Sequence, residues 1–372
     1  MINIHTPLNT LGYGIHGLNI INQLHKQGID MSLNPIGNTQ LNSYYSDVID
    51  NISFSDFDDN SPSLYIFHPS HLKNIKGSKV AAFAVFETTI IPKLDKYNLI
   101  NNCDYVFTTT QNHKTLLILN GIPEEKIHVI NEGIDPTLYN SEFNGKYIDT
   151  GKFTYITAGK FEKRKNTDLL IKTFIENMQY KEVALICHTF NPFLPGGGSI
   201  TSKQFTGVDI SKYGFNIVDM TQQYIKYSNS MCDIYFTYPI SDQSLMKLLY
   251  HSANVGIYIS RAEGWGLPLI ETMACGIRCI CSNVYGHNEY IWGSCDLQDS
   301  LIIEPSGKET ADDGMWFKGN VGKWYTIDPD DLIDKLDDTY NNKFTISSEL
   351  SKYYGNNFNW KKPVKKIIDV LL

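Results

Sequence analysis

Several features are scarce in this 372-residue chain, and each one excludes a class of protein. Acidic residues outnumber basic ones, 40 to 32, which removes any bulk attraction to nucleic acid or to an anionic membrane. No apolar run approaches the ~18–20 residues of a membrane helix, and the first residues show no secretory signal. The seven cysteines are scattered without a CxxC pair, which argues against a disulfide scaffold or a zinc ribbon. We therefore expect a cytoplasmic protein, or one peripheral to a membrane, with no nucleic-acid partner.

Short β-branched or aromatic runs alternate with helical stretches along the whole chain, with the first helix predicted over residues 18–27. This alternation is typical of α/β units with parallel sheets. The periodicity is lost around residues 141–151, which predicts a domain boundary there. We expect one Rossmann-like domain over residues 1–148 and a second over 149–352. Residues 190–230 contain two prolines and three consecutive glycines, and they are predicted to form an irregular insertion.

The most informative segment is VGIYISRAEGWGLPLIETMACG at residues 255–276, which predicts a strand, a glycine turn and a helix. Pro268 suits the first turn of a helix, whose free amides attract an anion. Glu263 and Glu271 flank this turn, and carboxylates accept hydrogen bonds from the hydroxyls of sugar and ribose. The two glutamates could instead cap the helix and face solvent. The flanking strand, glycines and proline favour a site for a nucleotide-sugar.

This segment resembles the donor site of retaining glycosyltransferases of family 4, whose motif is an acidic residue, seven others and a glutamate. The resemblance implies a GT-B fold, in which two Rossmann-like domains with parallel sheets face each other across a cleft. It also implies that Glu263 contacts the donor sugar and that Glu271 binds the ribose. Loop residues that contact sugar and phosphate in the family correspond to Gly264, Trp265, Gly266 and Leu267.

The resemblance covers most of the chain. The segment GKFEKRKN at residues 159–166 resembles a basic pair of the family, and Lys160 and Lys165 match the two cations that hold the donor diphosphate. A solvated basic turn is the alternative for these lysines. Residues 131–135 and 285–289 resemble two further family segments. Residues 353–372, with Trp360, resemble the C-terminal helix that packs back on the N-terminal domain.

The first domain departs from the family pattern at one position. Many members carry Phe-His-Thr where this chain has Phe86-Glu87-Thr88, and the family's histidine contacts the donor sugar near the reacting carbon. Glu87 can accept a hydroxyl hydrogen bond but adds a negative charge, so we keep it as a candidate catalytic residue beside Lys160, Lys165 and Glu263. Tyr238 and Ile240 are candidates to flank the base.

The motif GYGIHG at residues 12–17 has the form of a dinucleotide fingerprint and raises the alternative of an NAD-dependent oxidoreductase. The first strand ends several residues before Gly12, and the segment MSLNP at residues 31–35 lacks the expected acidic residue. We therefore interpret Gly12 and Gly14 as part of a glycine loop that faces the donor phosphate and the acceptor.

Taken together, the residues and the resemblance predict a glycosyltransferase. Its expected donor is a UDP- or GDP-sugar, its acceptor a glycan, a lipid-linked sugar or a protein, and the resemblance implies retention of configuration. A nucleotide-sugar epimerase or binding protein on the same fold remains an alternative. Two Asp-x-Asp patterns, at residues 56–58 and 328–330, lie in turn-rich segments, so we expect no metal and no cofactor besides the donor substrate.

Overall fold

A computed structural model describes residues 1–41, 43–190, 231–237, 239–240, 242–293, 296–314, 316–319 and 321–372. The predicted insertion therefore lies outside the described residues, except at its first position. The chain divides into two units, which we call the N-terminal unit (Met1–Asp135, Ser241–Ser244 and Asn356–Leu372) and the C-terminal unit (Pro136–Ile240 and Leu245–Gly355). Each contains a six-stranded sheet. The expected α/β class with two Rossmann-like domains is confirmed.

The N-terminal unit is built on parallel strands in the order β2-β1-β3-β4-β5-β6. The strands are β1 Ile2–Thr6, β2 Met31–Pro35, β3 Ser63–Tyr65, β4 Val80–Phe83, β5 Tyr105–Thr108 and β6 Ile127–Val129. Four helices of this unit are α1 Gly12–Lys26, α2 Ser43–Asp50, α3 Lys93–Asn101 and α4 Gln111–Leu119, with 3-10 turns at Pro69–Asn74 and Glu124–Lys126. Strands β3 and β4 are buried along their whole length, as strands covered on both faces must be.

The C-terminal unit has its parallel strands in the order β12-β11-β10-β7-β8-β9. Its strands are β7 Phe153–Lys160, β8 Val183–Phe190, β9 Asp233–Phe236, β10 Val255–Tyr258, β11 Arg278–Ser282 and β12 Ile302–Ile303, followed by β13 Gly307–Thr310 and β14 Lys323–Thr326. Its helices are α5 Thr167–Met178, α6 Gln243–Tyr250, α7 Leu267–Ala274, α8 Tyr285–Asn288, α9 Asp296–Asp299, α10 Pro329–Asn342 and α11 Ser348–Asn357, with a 3-10 turn at Lys163–Lys165. The last helix of the chain is α12 Lys361–Leu371.

The strand order of the C-terminal unit locates its binding edge. The sheet grows in one direction from β7 to β8 and β9, and in the other direction from β10 to β11 and β12. Strands β7 and β10 are neighbours, so the order reverses between them. Ligands of open parallel sheets bind outside the carboxyl ends of the strands at such a switch point.

The glycine motif at residues 12–17 is not a loop, and this corrects our prediction of a helix that starts at residue 18. Helix α1 begins at Gly12 and includes the whole motif. A Cβ on Gly14 would lie 2.2 Å from the Asn9 carbonyl oxygen, and one on Gly17 would lie 2.0 Å from Thr6 Oγ1. The glycines therefore let α1 pack directly against the end of β1 and the turn after it, a role that hydrophobic periodicity does not reveal.

The C-terminal segment belongs to the N-terminal unit. Helix α12 packs against α1, and its buried side chains are Pro363, Val364, Ile367 and Leu371. Trp360 is buried, and its ring lies 5.4 Å from that of His16. A Cβ on Gly133 would lie 2.6 Å from the Trp360 nitrogen, so the returning chain is in close contact with the end of the first segment of this unit. The predicted return of the last helix to the first domain is confirmed.

The hairpin β13–β14 covers the segment that precedes Glu263. Trp324 and Ala311 pack with Ala262 in a small apolar cluster. The Tyr325 amide donates to the Arg261 carbonyl at 3.0 Å, and Arg261 forms an ion pair with Glu309. The hairpin therefore fixes the backbone that leads into the predicted donor loop.

Candidate functional site

A concavity of about 330 Å³ lies at the carboxyl ends of β7 and β10, where the strand order reverses. Six of its lining residues carry the chemistry discussed below: Lys160, Lys165, Ser260, Glu263, Gly266 and His287. Four candidate residues from the sequence, two lysines, a glutamate and Gly266, are thus brought together in one cavity of the C-terminal unit.

Both lysines are placed by the turn after β7. Lys160 is the last residue of that strand, and Lys165 ends the 3-10 turn that follows. Asn166 then adopts a left-handed conformation, with φ of 61°, and its Oδ1 accepts from Arg261 NH2 at 2.9 Å. This bond holds the strained residue in place and turns the chain into α5.

Glu263 is the centre of a buried charge network. Its Oε1 lies 2.5 Å from Lys165 Nζ and accepts from Ser260 Oγ at 2.6 Å, while its Oε2 lies 3.1 Å from Arg164 NH1. Burial pushes the pKa of Glu263 up, but Lys165 and Arg164 outweigh it and hold this pKa well below its usual range. Glu263 is therefore ionised at neutral pH.

Arg164 organises this network, and the sequence analysis gave it no role. Its side chain is 3 % exposed and donates to the Ala262 carbonyl at 2.7 Å and to Glu162 Oε1 at 2.5 Å. Lys160 Nζ lies 3.6 Å from Glu162 Oε2, so Glu162 links the two cations. No sequence signal separates Arg164 from its lysine neighbours, because all three belong to one charge run.

The loop before α7 is shaped for close approach of a ligand. Gly266 has φ of 98°, a conformation that glycine adopts without strain, and Leu267 then begins the helix. Tyr290 Oη donates to the carbonyls of Trp265 and Gly266 at 2.9 and 3.1 Å. The first amides of a helix have no partner inside the helix, so this turn can bind an anion.

Other candidate residues of the C-terminal unit lie apart from the cavity lining. Glu271 is 6 % exposed on α7, and its Oε2 accepts from Tyr250 Oη at 2.8 Å. Gly264 and Trp265 belong to the loop itself, where Trp265 is buried against Tyr290. Ile240 is partly exposed, and Tyr238 lies outside the described residues.

The remaining candidates, Gly12, Gly14 and Glu87, belong to the N-terminal unit. The two glycines lie in the first turn of α1, and Glu87 follows β4. Burial first, and then the negative charges of Glu87 and Glu132, raise the pKa of Tyr13 well above its usual value. Glu87 is therefore part of an acidic environment around Tyr13.

The part of the chain that the structure describes shows no cluster of metal-binding side chains. No group of three or more histidine, cysteine, aspartate or glutamate side chains there is arranged to hold an ion. Within the same residues, no helix combines the length and apolar character needed to cross a membrane.

Two comparisons of sequence relate part of the chain to known proteins. Residues 231–315 match the family model described as glycosyl transferases group 1, and this segment contains the strand, loop and helix that carry Glu263. A stretch of 71 residues is 34% identical to the O-antigen chain mannosyltransferase B of Escherichia coli. It comprises 18% of this chain and 19% of that protein, so the match spans about a fifth of the relative's length.

The fold is shared with solved structures of low sequence identity. Sucrose-phosphate synthase from Thermosynechococcus elongatus superposes with a TM-score of 0.65 at 14% identity, over 99% of this chain and 97% of that one. The Anabaena protein HepE in complex with UDP-glucose gives 0.64 at 13% identity, over 100% and 98%. The lipopolysaccharide outer core galactosyltransferase WaaB gives 0.59 at 13% identity, over 99% and 98%. The chain thus has the GT-B fold and its residues 231–315 match the model of glycosyl transferases group 1, as the glycosyltransferase resemblance implied, while membership of family 4 stays a prediction.

Proposed function

We propose that this protein is a glycosyltransferase that takes a sugar from a nucleotide diphosphate sugar and transfers it to a hydroxyl group of a glycan, a lipid-linked sugar or a protein. The observation that carries the proposal is the cavity of the C-terminal unit, where two lysines, a buried glutamate and the start of α7 converge. The match of this segment to glycosyl transferases group 1 supports the same conclusion.

The cations suit the leaving group. Breaking the bond between sugar and phosphate leaves negative charge on the diphosphate, and preorganised positive groups stabilise that charge in the transition state. Lys160 is partly exposed, at 35 %, and its Nζ lies 3.6 Å from Glu162 Oε2 at the cavity wall, within reach of an incoming phosphate. Lys165 can share its three N–H donors between Glu263 and a phosphate oxygen.

The ionised Glu263 suits the sugar. A carboxylate accepts hydrogen bonds from sugar hydroxyls, and its charge favours the positive charge that develops on the ring as the leaving group departs. In the proposal, the amides of Gly264, Trp265, Gly266 and Leu267 contact the sugar and the phosphates. Transfer with retention of configuration is proposed from the family resemblance alone.

The nucleoside is assigned to the same unit. We assign the ribose to Glu271, beside Tyr250, and the base to the region of Tyr238 and Ile240. HepE was solved with UDP-glucose, which supports a uridine donor, and the guanosine series is tested beside it because the residues do not select the base. Glu87, Gly12 and Gly14 are proposed to act from the N-terminal unit, and the reaction is proposed to need no metal or other cofactor.

The first experiment is a binding screen by thermal shift and calorimetry against UDP, GDP and their sugar derivatives. We expect binding of one nucleotide series, undiminished by EDTA, and acceptor-dependent release of the nucleoside diphosphate. Conversion of the sugar nucleotide without release would instead indicate an epimerase, and saturable NADH binding in its place would favour the oxidoreductase alternative.

Lys165→Ala and Lys163→Ala form a matched pair for the leaving-group role. Lys163 Nζ donates to the Asp312 carbonyl and does not belong to the cavity lining, so its loss leaves the cavity intact. We expect turnover to fall about 10²-fold or more for Lys165→Ala, the size seen when one charge-stabilising donor is removed, and to stay near the parent value for Lys163→Ala. Equal turnover of the two variants would remove Lys165 from the reaction.

A further inference from the structure

His287 lies in the wall of the cavity, and nothing described above gives it a role. It belongs to α8, is 1 % exposed overall, and lines the cavity beside Glu263 and Gly266. Its Nδ1 lies 3.0 Å from the Ser282 carbonyl oxygen. A carbonyl oxygen only accepts hydrogen bonds, so Nδ1 carries the proton of this contact.

The other ring nitrogen is left as an acceptor. Burial lowers the pKa of His287 to about 4, so the ring is neutral at neutral pH, although Glu263 acts in the opposite direction. A neutral imidazole protonated on Nδ1 has a lone pair on Nε2 and no hydrogen to donate there. Among the described residues, the hydrogen bond that the ring makes is the one to Ser282, and it uses Nδ1.

Gly266 keeps the approach to this nitrogen open. A Cβ at position 266 would lie 2.7 Å from His287 Nε2, closer than real Cβ contacts allow. Gly286 shows an equally close approach. A Cβ at position 286 would lie 2.7 Å from the Glu263 carbonyl oxygen, so α8 is packed tightly against the loop. The imidazole is thus held at a fixed position beside the glutamate.

The chemistry of Nε2 selects its partner. A lone pair facing a phosphate oxygen is repulsive, because both groups only accept, whereas a hydroxyl can donate to it. We propose that His287 Nε2 accepts a hydrogen bond from a hydroxyl of the transferred sugar and thereby helps to determine which sugar the enzyme takes. This inference rests on the proposed function, and it names His287 as a residue that determines the specificity for the donor sugar.

The test separates the sugar from the nucleotide. Dissociation constants are measured by calorimetry for UDP, GDP and the sugar nucleotide that the parent protein binds, in the parent and in His287→Met and His287→Gln. Methionine has nearly the same volume and removes the nitrogen acceptor, whereas glutamine restores one through its carbonyl. We expect His287→Met to bind the nucleoside diphosphate within about twofold of the parent and the sugar nucleotide about tenfold more weakly, as for one lost hydrogen bond, with partial rescue by glutamine.

A second measurement needs no variant. With ¹⁵N-labelled histidine in the parent protein, an unprotonated ring-nitrogen resonance should shift when the sugar nucleotide is added and stay in place when the diphosphate alone is added. The inference is overturned if no histidine nitrogen distinguishes the two ligands, or if His287→Met binds the sugar nucleotide as the parent does. A parent protein that binds none of these compounds refutes the proposed function and this inference with it, whereas binding with an unaffected variant refutes this inference alone.

Discussion

The pair of Lys165 and Glu263 allows a sharp prediction about stability. Lys165→Met keeps the length and apolar stem of the side chain but removes the ammonium 2.5 Å from Glu263 Oε1. Removing one partner of a buried ion pair costs about 3–5 kcal/mol. Arg164 and Ser260 remain in contact with the carboxylate, and the Lys165 side chain is 16% exposed, so we expect a smaller loss of about 2 kcal/mol in the free energy of unfolding.

Urea denaturation followed by tryptophan fluorescence and by circular dichroism measures this loss in the transition of the C-terminal unit. Lys163→Met is the matched control, because Lys163 Nζ donates to the exposed Asp312 carbonyl and its charge is a minor influence on Asp168. Its loss should cost less than about 0.5 kcal/mol. A double-mutant cycle with Glu263→Gln should give a coupling energy above about 1 kcal/mol. Equal stabilities of the two lysine variants, or a coupling energy near zero, would refute the account of Glu263 as a carboxylate stabilised by its cations.

Three further predictions concern packing, hydrogen bonding and pH. Gly14→Ala should destabilise the protein by more than about 1 kcal/mol in urea denaturation, because its Cβ would meet the Asn9 carbonyl. Gly12→Ala is the control and should be neutral or stabilising, because a Cβ there would have nothing within 4 Å. The reverse order of stabilities would contradict the packing described. Tyr250→Phe should cost about 1–3 kcal/mol, because it removes the donor 2.8 Å from buried Glu271, and calorimetry should show weaker nucleotide binding; a variant equal to the parent in both measurements would argue against the ribose role. Burial lowers the pKa of His113, His188 and His287 to about 4. In the unfolded chain these histidines have an ordinary pKa near 6.5, so as the pH falls they take up protons there before they do so in the folded protein. Their contribution to stability should therefore be full above pH 6.5 and fall by up to about 3 kcal/mol per histidine as the pH drops to 4. Denaturation midpoints that do not change over this range would contradict the burial of these rings.

The strand, turn and helix at residues 255–276 could be predicted because each signal is local. A β-branched run forms β10, Gly266 supplies the left-handed turn, and Pro268 suits the start of α7. The alternation of strand-like and helical stretches along the chain likewise predicts both parallel sheets. Such features depend on residues that are neighbours in sequence, and backbone preferences act at that range.

The contacts that define the site could not be predicted in the same way. Glu263 and Lys165 are 98 positions apart, and the sequence does not show that the ionised glutamate is paired with a cation. Arg164 and Lys163 look alike in a charge run, but the first is buried and the second is only partly so. The sequence around His287 indicates only that it follows a buried strand. Its tautomer depends on the contact with the Ser282 carbonyl, which the sequence does not show. These properties arise from tertiary packing.

The start of α1 was mispredicted for a related reason. Three glycines in six residues lower helix propensity, so the sequence favours a loop there. Packing outweighs this local preference, because the missing side chains at Gly14 and Gly17 allow the helix to approach Asn9 and Thr6.

The return of the C-terminal segment to the N-terminal unit has a consequence for biosynthesis. As the chain leaves the ribosome, residues 1–135 emerge before the C-terminal unit, but Trp360 and the apolar face of α12 that complete their core emerge after it. The nascent N-terminal unit therefore lacks α12, which packs against α1, while the entire C-terminal unit is translated and can fold. A premature stop that deletes residues 356–372 should thus damage the N-terminal unit, which is made before the C-terminal unit, and chaperones would encounter its exposed apolar surface there.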